Sequence, residues 1–279
     1  MVATVAFVVH NQRSEAAALA EQAATWLRAR GHRAELPGPD GKIPDVDGAD
    51  LAVSLGGDGT MLRTVEAVHG RGTPVLGVNL GHLGYLTEVE PAGLCPALSR
   101  FLAGDYVVEE RMTLDVSLKG EAGRPRSGAT RTHLALNEAV VQKSSSGHTI
   151  RLALSIAGKP FITYAADGLI VATPTGSTAY NLSSRGPIAS PHLRALIVTP
   201  VSPHMLFDRA LVLEPGEEVG IAVIDGRPAT LVVDGTPIRD LEPGDRIVCR
   251  ASDQPARLVG FGEHDFHAIL RTKFGLADR

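Results

Sequence analysis

The sequence predicts an α/β N-terminal domain of Rossmann-like, doubly wound type, followed by a β-rich C-terminal domain. Three observations carry this. Apolar, β-branched runs at residues 2–9, 51–55 and 74–78 alternate with helical periodicities, the pattern of a parallel sheet covered on both faces. From about Asp105 onward the runs become short, strand-like and bounded by Gly or Pro, as in a mostly β domain. Two glycine-rich turns directly follow strands of the first part, where open α/β sheets bind their ligands.

Each element has its own signal. Residues 2–9 read as a first strand, and residues 14–30 as a helix with Leu19, Ala23, Trp26 and Leu27 at helical spacing and Gly31 closing it. A short strand at 34–36 leads into a loop rich in Pro and Gly up to Gly48. The strand at 51–55, a helix from Thr60 through Val68 and the strand at 74–78 continue the alternation. Strand-like runs follow at 106–118, 132–142, 149–156, 161–165, 195–199, 210–213, 219–224, 230–233, 246–251 and 257–261. The polar stretch 119–131 and the serine-rich turn at 144–147 separate some of them. Phe266, Ile269, Leu270 and Phe274 then recur at helical spacing. The expected boundaries are 1–104 for the α/β domain, 105–262 for the β-rich domain, and 263–279 for a C-terminal helix returning to the first.

The totals limit the function classes. Twenty-seven Lys and Arg against 31 Asp and Glu give a net charge of −4, so the chain has no general attraction to nucleic acid or anionic lipid and any phosphate binding must be local. A hydrophobic fraction of 44% with 21% charged residues is that of a globular protein, and no apolar run reaches membrane-spanning length. Cys95 and Cys249 lie far apart without metal-ligand spacing, which suggests neither a zinc site nor a disulfide framework. A reducing cytoplasm fits. The apolar start lacks a basic flank and a cleavage site, so it reads as a strand and not as a signal peptide.

The first candidate site is Gly56-Gly57-Asp58-Gly59-Thr60. Strand, glycine loop, helix is a phosphate-binding layout, yet it lacks the last glycine of the dinucleotide fingerprint and the Gly-Lys-Ser/Thr of a Walker loop. Asp58 is the unusual residue, because a fixed negative charge among helix-start N–H groups repels phosphate unless it binds a metal or takes a proton. An Asp beside Gly also caps helices and fixes turns, and from this stretch alone both roles stand. The second glycine-rich turn, 77–86, carries His82, which is read as a turn residue before a catalytic base.

Two further stretches carry chemistry. Asn137-Glu138 sits inside an apolar strand pattern, where an amide and a carboxylate cost desolvation unless paired; a hydroxyl-bearing ligand or a strand-end bond to backbone would each satisfy them. Residues 166–183 place six hydroxyls, of Thr173, Thr175, Ser177, Thr178, Tyr180 and Ser183, around Pro174 and Gly176 before a short helix near Ser177. Such a turn can hold a phosphate or sugar with neutral donors, or can simply be a capped, solvated turn.

Taken together, Gly56 to Thr60, the turn 77–86, Asn137-Glu138, and the run from Asp167 through Tyr180 with Gly186-Pro187-Ile188 resemble the NAD kinase family, in the same order and at compatible spacings. Diacylglycerol-type lipid kinases carry a similar glycine-aspartate loop, but the Thr-Pro-Thr-Gly-Ser-Thr-Ala-Tyr run at 173–180 selects NAD kinase. The resemblance implies transfer of the γ-phosphoryl of ATP, or of polyphosphate, to the adenosine 2′-hydroxyl of NAD, with Mg²⁺ carried by ATP and no confident protein ligand for it. It makes Asp58 the base and Gly56, Gly57 and Thr60 the phosphate loop, lined also by Gly59 and Arg63. Asn137, Glu138, His148 and Asp167 would contact the dinucleotide. Thr178, Ala179, Tyr180, Asn181, Leu182 and Ser183 would hold its adenosine side. It also implies a homodimer or homotetramer whose subunits share sites.

Three positions depart from or qualify that pattern: Ser184-Arg185-Gly186 stands where many members have Ala-Gly-Gly, Thr236 replaces a frequent Gln, and His204 reads as structural. The competing expectations are a lipid kinase, which needs an apolar groove the sequence does not advertise, and a non-catalytic dinucleotide-binding regulator, which has no need of Asp58.

Overall fold

The structure, a computed structural model, describes residues 2–10, 13–38, 42–81, 84–119, 132–262 and 265–276. His82 and nearly all of the polar stretch 119–131 lie outside the described residues. The chain divides into two compact units, Met1–Glu110 with Ala256–Arg279, and Arg111–Pro255.

The first unit is doubly wound. Its elements are β1 (Thr4–Val9), α1 (Ser14–Arg28), β2 (Arg33–Glu35), β3 (Leu51–Gly56), α2 (Asp58–Val68), β4 (Val75–Asn79), α3 (Leu94–Leu102) and β5 (Val107–Arg111). β1 pairs in parallel with β2 on one side and β3 on the other, and β3 pairs in parallel with β4. The strand order therefore reverses beside β1, which puts a topological switch point at the carboxyl ends of β1 and β3. Alternate residues of the strands fill the two faces: Val5, Phe7, Val53 and Leu55 pack with Ala20, Ala23 and Leu27 of α1 and Leu94 and Leu98 of α3. That double burial is why these strands read as continuous apolar runs.

α3 was not among the sequence expectations. Leu94, Ala97, Leu98 and Phe101 form its buried stripe, but Pro91 and Pro96 read as breakers. Pro96 sits in the first turn of the helix, where a missing N–H is no loss.

The second unit consists of β6 (Leu114–Lys119), β7 (His133–Ala135), β8 (Glu138–Lys143), β9 (Ile150–Ile156), β10 (Lys159–Ala166), β11 (Gly168–Ala172), β12 (Leu196–Val201), β13 (Leu211–Leu213), β14 (Val219–Val223), β15 (Ala229–Val233), β16 (Thr236–Leu241) and β17 (Arg246–Ala251). They form two six-stranded sheets, β10-β9-β14-β17-β6-β7 and β13-β12-β11-β8-β15-β16. One core joins the sheets, with Leu114, Leu152, Leu154 and Ile221 from the first against Val141, Leu169, Val198 and Leu231 from the second. Val140, Ile170, Ala172 and Ile197 point the other way and pack against Ala189. The second sheet is thus covered on both faces, and the segment after β11 supplies part of its outer cover.

β18 (Ala256–Gly260) and α5 (Phe266–Phe274) close the chain. The run 106–118 expected as one strand is two, and its first half, β5, joins the first unit's sheet next to β18, which pairs in parallel with β4. Both strands thus belong to a different unit from the one their position within 105–262 suggested. Short runs at the seam of two domains carry no period that tells which sheet will take them. α5 is capped by Asp265, which accepts from the N–H groups of His267 and Ala268, and ends at Gly275 in left-handed backbone. It packs on Tyr85: the Phe266 ring lies 6.4 Å away and Lys273 Nζ stands 4.6 Å above the Tyr85 ring.

Candidate active site

The first loop system lies at the switch point, where β3 runs into Gly56 and α2 begins at Asp58. Two glycines are demanded by the chain's own packing. A Cβ on Gly56 would collide with the Thr60 side chain, and one on Gly84 would meet Thr87 Oγ1 at 2.7 Å as well as the Asp58 carboxylate. Gly57 and Gly59 differ, because a Cβ on either would meet nothing within 4 Å. Internal packing gives no reason for them, whereas close approach of a ligand to the backbone would.

Asp58 is half-buried, and the second glycine turn holds both of its oxygens. Tyr85 N–H donates to Oδ2 at 3.0 Å and Leu86 N–H to Oδ1 at 3.1 Å. Each carboxylate oxygen can accept a further bond, so the fixing of Asp58 as a turn residue and its availability to a ligand proton coexist. Burial raises the pKa of the Tyr85 phenol, and the Asp58 charge raises it further. Thr60 is buried with its carbonyl accepting from Thr64 Oγ1; Arg63 stands half-buried on α2.

The second loop system gathers around the start of β8. Asp234, in the two-residue hairpin between β15 and β16, accepts from the N–H groups of Leu136 (2.7 Å), Asn137 (2.9 Å) and Glu138 (3.0 Å). Asp234 and Gly235 both adopt left-handed backbone, φ 46° and 77°, as a tight Asp-Gly hairpin requires. Sequence reasoning missed this carboxylate. The Asp-Gly pair after the alternating run 230–233 signals a hairpin, but not the segment its side chain would reach almost a hundred positions away.

The hydroxyl turn is fastened to the same segment. Thr173 Oγ1 donates to Leu136 O at 2.6 Å and accepts from Gly176 N–H at 3.0 Å, and Thr173 N–H donates to Asn137 O at 2.8 Å. A Cβ on Gly176 would strike the Asn137 carbonyl. Ser177 Oγ both donates to Ala189 O and accepts from Ala189 N–H. The backbone passes through a 3₁₀ turn at Thr175–Thr178 and a single helical turn at Tyr180–Ser183. Of the six hydroxyls, Thr173 and Ser177 are thus structural, while Tyr180 and Ser183 stand exposed.

Asn181 also does structural work. It is fully buried, its Nδ2 donates to Ser177 O and Pro187 O at 3.0 Å each, and its Oδ1 accepts from Thr199 Oγ1 at 2.6 Å. A Cβ on Gly186 would overlap its amide, which explains the glycine in Gly186-Pro187-Ile188. Asn181, expected on the adenosine side, thus turns its amide to the protein and shapes the turn, which carries Thr178, Ala179 and Leu182 half-buried.

Glu138 is 6% exposed and shares the outer face of its sheet with Val140. Burial, with the Asp234 carboxylate as a second cause, pushes its pKa up to about 8 against an opposing bond from the Tyr180 N–H. Its Oε2 has no partner among the described residues. Asn137 beside it is half-buried. Asp167 and His148 are not brought to this cluster. The register aligns Ala172 with Glu138 and Gly168 with Gln142, so Asp167, ion-paired to Lys143 at 2.6 Å, lies at the opposite end of the β8–β11 pair. The exposed turn carrying His148 follows the same end of β8.

Matches to known proteins agree in kind. A family model described as the ATP-NAD kinase N-terminal domain matches residues 42–106, and one described as the ATP-NAD kinase C-terminal domain matches residues 136–261. An NAD kinase of Heliobacterium modesticaldum is 42% identical over 97% of this chain and 98% of its own length. Yeast NADH kinase, solved in complex with NADH, superposes with a TM-score of 0.88 at 25% identity, covering 100% of this chain and 89% of its own. An NAD kinase from Archaeoglobus fulgidus, solved in complex with ATP, gives a TM-score of 0.73 at 26% identity over 99% of this chain and 98% of its own. With both family domains present, in order and across the loops described above, the chain belongs to the NAD kinase family.

Proposed function

We propose that the protein transfers the γ-phosphoryl of ATP to the adenosine 2′-hydroxyl of NAD, making NADP and ADP. One observation carries the reading: Asp58, oriented by two N–H groups, stands at the switch point between Gly57 and Gly59, the two loop glycines that the chain's own packing does not require. As the 2′-oxygen forms its bond to phosphorus and the β,γ-bridging oxygen leaves with ADP, the hydroxyl proton passes to Asp58. A carboxylate is a weak base toward an alcohol, so this transfer belongs late in the transition state. Among the described residues no three His, Cys, Asp or Glu side chains converge as metal ligands. As the resemblance implies, Mg²⁺ would be carried by the triphosphate and would neutralise its charge.

Asn137, Glu138 and the turn 178–183 form the dinucleotide side. Asp167 lies five residue steps along the strands from the Glu138 level, about 17 Å. We assign it and His148 to the dinucleotide of a neighbouring copy in a homodimer or homotetramer, which sedimentation of the pure protein tests. No described helix is long and apolar enough to cross a membrane, and we place the enzyme in the cytoplasm. The deciding assay supplies MgATP with NAD or NADH and reads NADP(H) with a coupled dehydrogenase; product from neither nucleotide would sink the reading.

A further inference from the structure

Beside the hydroxyl turn lies a cavity of about 590 Å³, lined by Tyr180, Ser183 and Arg185 and by Pro200, Ser202 and Asp208. Arg185 and Ser202 both carry left-handed backbone, φ 63° and 45°, a region that non-glycine side chains rarely occupy because Cβ crowds the backbone. The turn does not need a long cation at 185. Its structural contribution there is the N–H donated to Leu182 O at 3.0 Å, which any residue supplies and glycine supplies without strain. The residue is exposed, and its guanidinium has no hydrogen bond or ion pair among the described residues. The carboxylate that lines the same cavity, Asp208, already has Arg209 at 3.4 Å.

We infer that Arg185 is a specificity-determining residue that pairs with a phosphate of the dinucleotide in this cavity, while Tyr180 and Ser183 bond the adjoining sugar. The inference rests on the NAD kinase reading. A guanidinium presents a planar fork of donors that matches phosphate oxygens and is weakly hydrated, which hydroxyls alone cannot reproduce. Its contribution is electrostatic at a partly open site, so it weakens as salt rises.

The test is calorimetric titration of NAD⁺ into the full chain at low and moderate ionic strength, for the wild type, Arg185→Gly and Arg185→Lys. Arg185→Gly is expected to weaken NAD⁺ binding about tenfold and to lose most of the salt dependence, with Arg185→Lys recovering part of both. The thermal midpoint of the glycine variant stays at or above that of the wild type, because the left-handed penalty is gone; lost affinity therefore cannot be lost folding. Equal affinity of wild type and glycine variant overturns the inference, as does a loss that is identical in the lysine variant and insensitive to salt. Wild-type protein that binds NAD⁺ but forms neither NADP⁺ nor, from NADH, NADPH overturns the kinase reading and leaves the Arg185 result standing; absence of NAD⁺ binding overturns the Arg185 inference.

Discussion

Both loop systems hold a carboxylate among backbone N–H groups, and they surround it in opposite ways. In the first unit the N–H groups of Tyr85 and Leu86 go to Asp58 itself, which remains half-buried at the mouth of a glycine loop. In the second, three N–H groups go to Asp234, and Glu138 beside it is buried and driven toward its neutral form. A proton acceptor must be ionised, aimed and reachable. A binding group in an apolar wall does better as a neutral acid that can donate as well as accept. The difference teaches that spacing in sequence locates carboxylates, whereas the disposition of N–H groups around them decides their role.

The largest expected effect breaks the first half of that contrast. Asp58→Asn should lower kcat by about 10²- to 10⁴-fold with modest change in Michaelis constants, the range of general-base catalysis. Because the amide also presents an N–H₂ where one backbone donor now points, a drop in thermal midpoint should accompany it. A variant with a lowered midpoint but wild-type kcat would reduce Asp58 to a turn residue.

Next in size is the pH dependence set by Glu138. Below its ordinary value of 4.5 the carboxyl is protonated in both folded and unfolded chains. Between 4.5 and about 8 only the folded chain keeps the proton, so stability falls as pH rises through that window and levels off above it. Each unit between the two values is worth about 1.4 kcal/mol. Glu138→Gln should remove that slope and be more stable than the wild type at pH 9, as measured by denaturant unfolding across the window. Parallel stability profiles for the two proteins would mean that Glu138 titrates normally.

Asp234→Asn sharpens the same point at smaller cost. Asparagine tolerates the left-handed backbone at this position and keeps one acceptor, so the loss is the bonds made by the second oxygen, about 2 kcal/mol. Removing the charge also lowers the pKa of Glu138, which shifts the falling limb of the stability profile to lower pH. A destabilised variant whose limb does not move would separate the two carboxylates electrostatically.

Much of the fold is legible in the sequence. The doubly wound alternation showed because β1, β3 and β4 are covered on both faces, and the loop at Asp58 and the turn 173–183 showed because glycines and hydroxyls cluster in sequence. What stayed hidden has physical causes. Asp234 reaches residues almost a hundred positions away, and no local period encodes that. Asn181 looks like a binding residue because a buried, fully bonded amide and a ligand-facing one share a sequence context. β5 and β18 read with their sequence neighbours, although sheet membership is settled by which edge is open to them.

The smallest effect tests whether the open space around the loop glycines is functional. Gly56→Ala places a Cβ on the Thr60 side chain and should lower the yield of folded protein. Gly59→Ala meets nothing within 4 Å and sits in the first turn of α2, where alanine is the better helix former by about 1 kcal/mol. On packing alone the second variant should therefore be at least as stable as the wild type. If the loop accepts the phosphates of ATP against its backbone, the added methyl keeps them away, and the Michaelis constant for ATP should rise about tenfold while the thermal midpoint holds or climbs. A Gly59→Ala enzyme with unchanged ATP kinetics would show that the space beside this glycine is not where the phosphates lie.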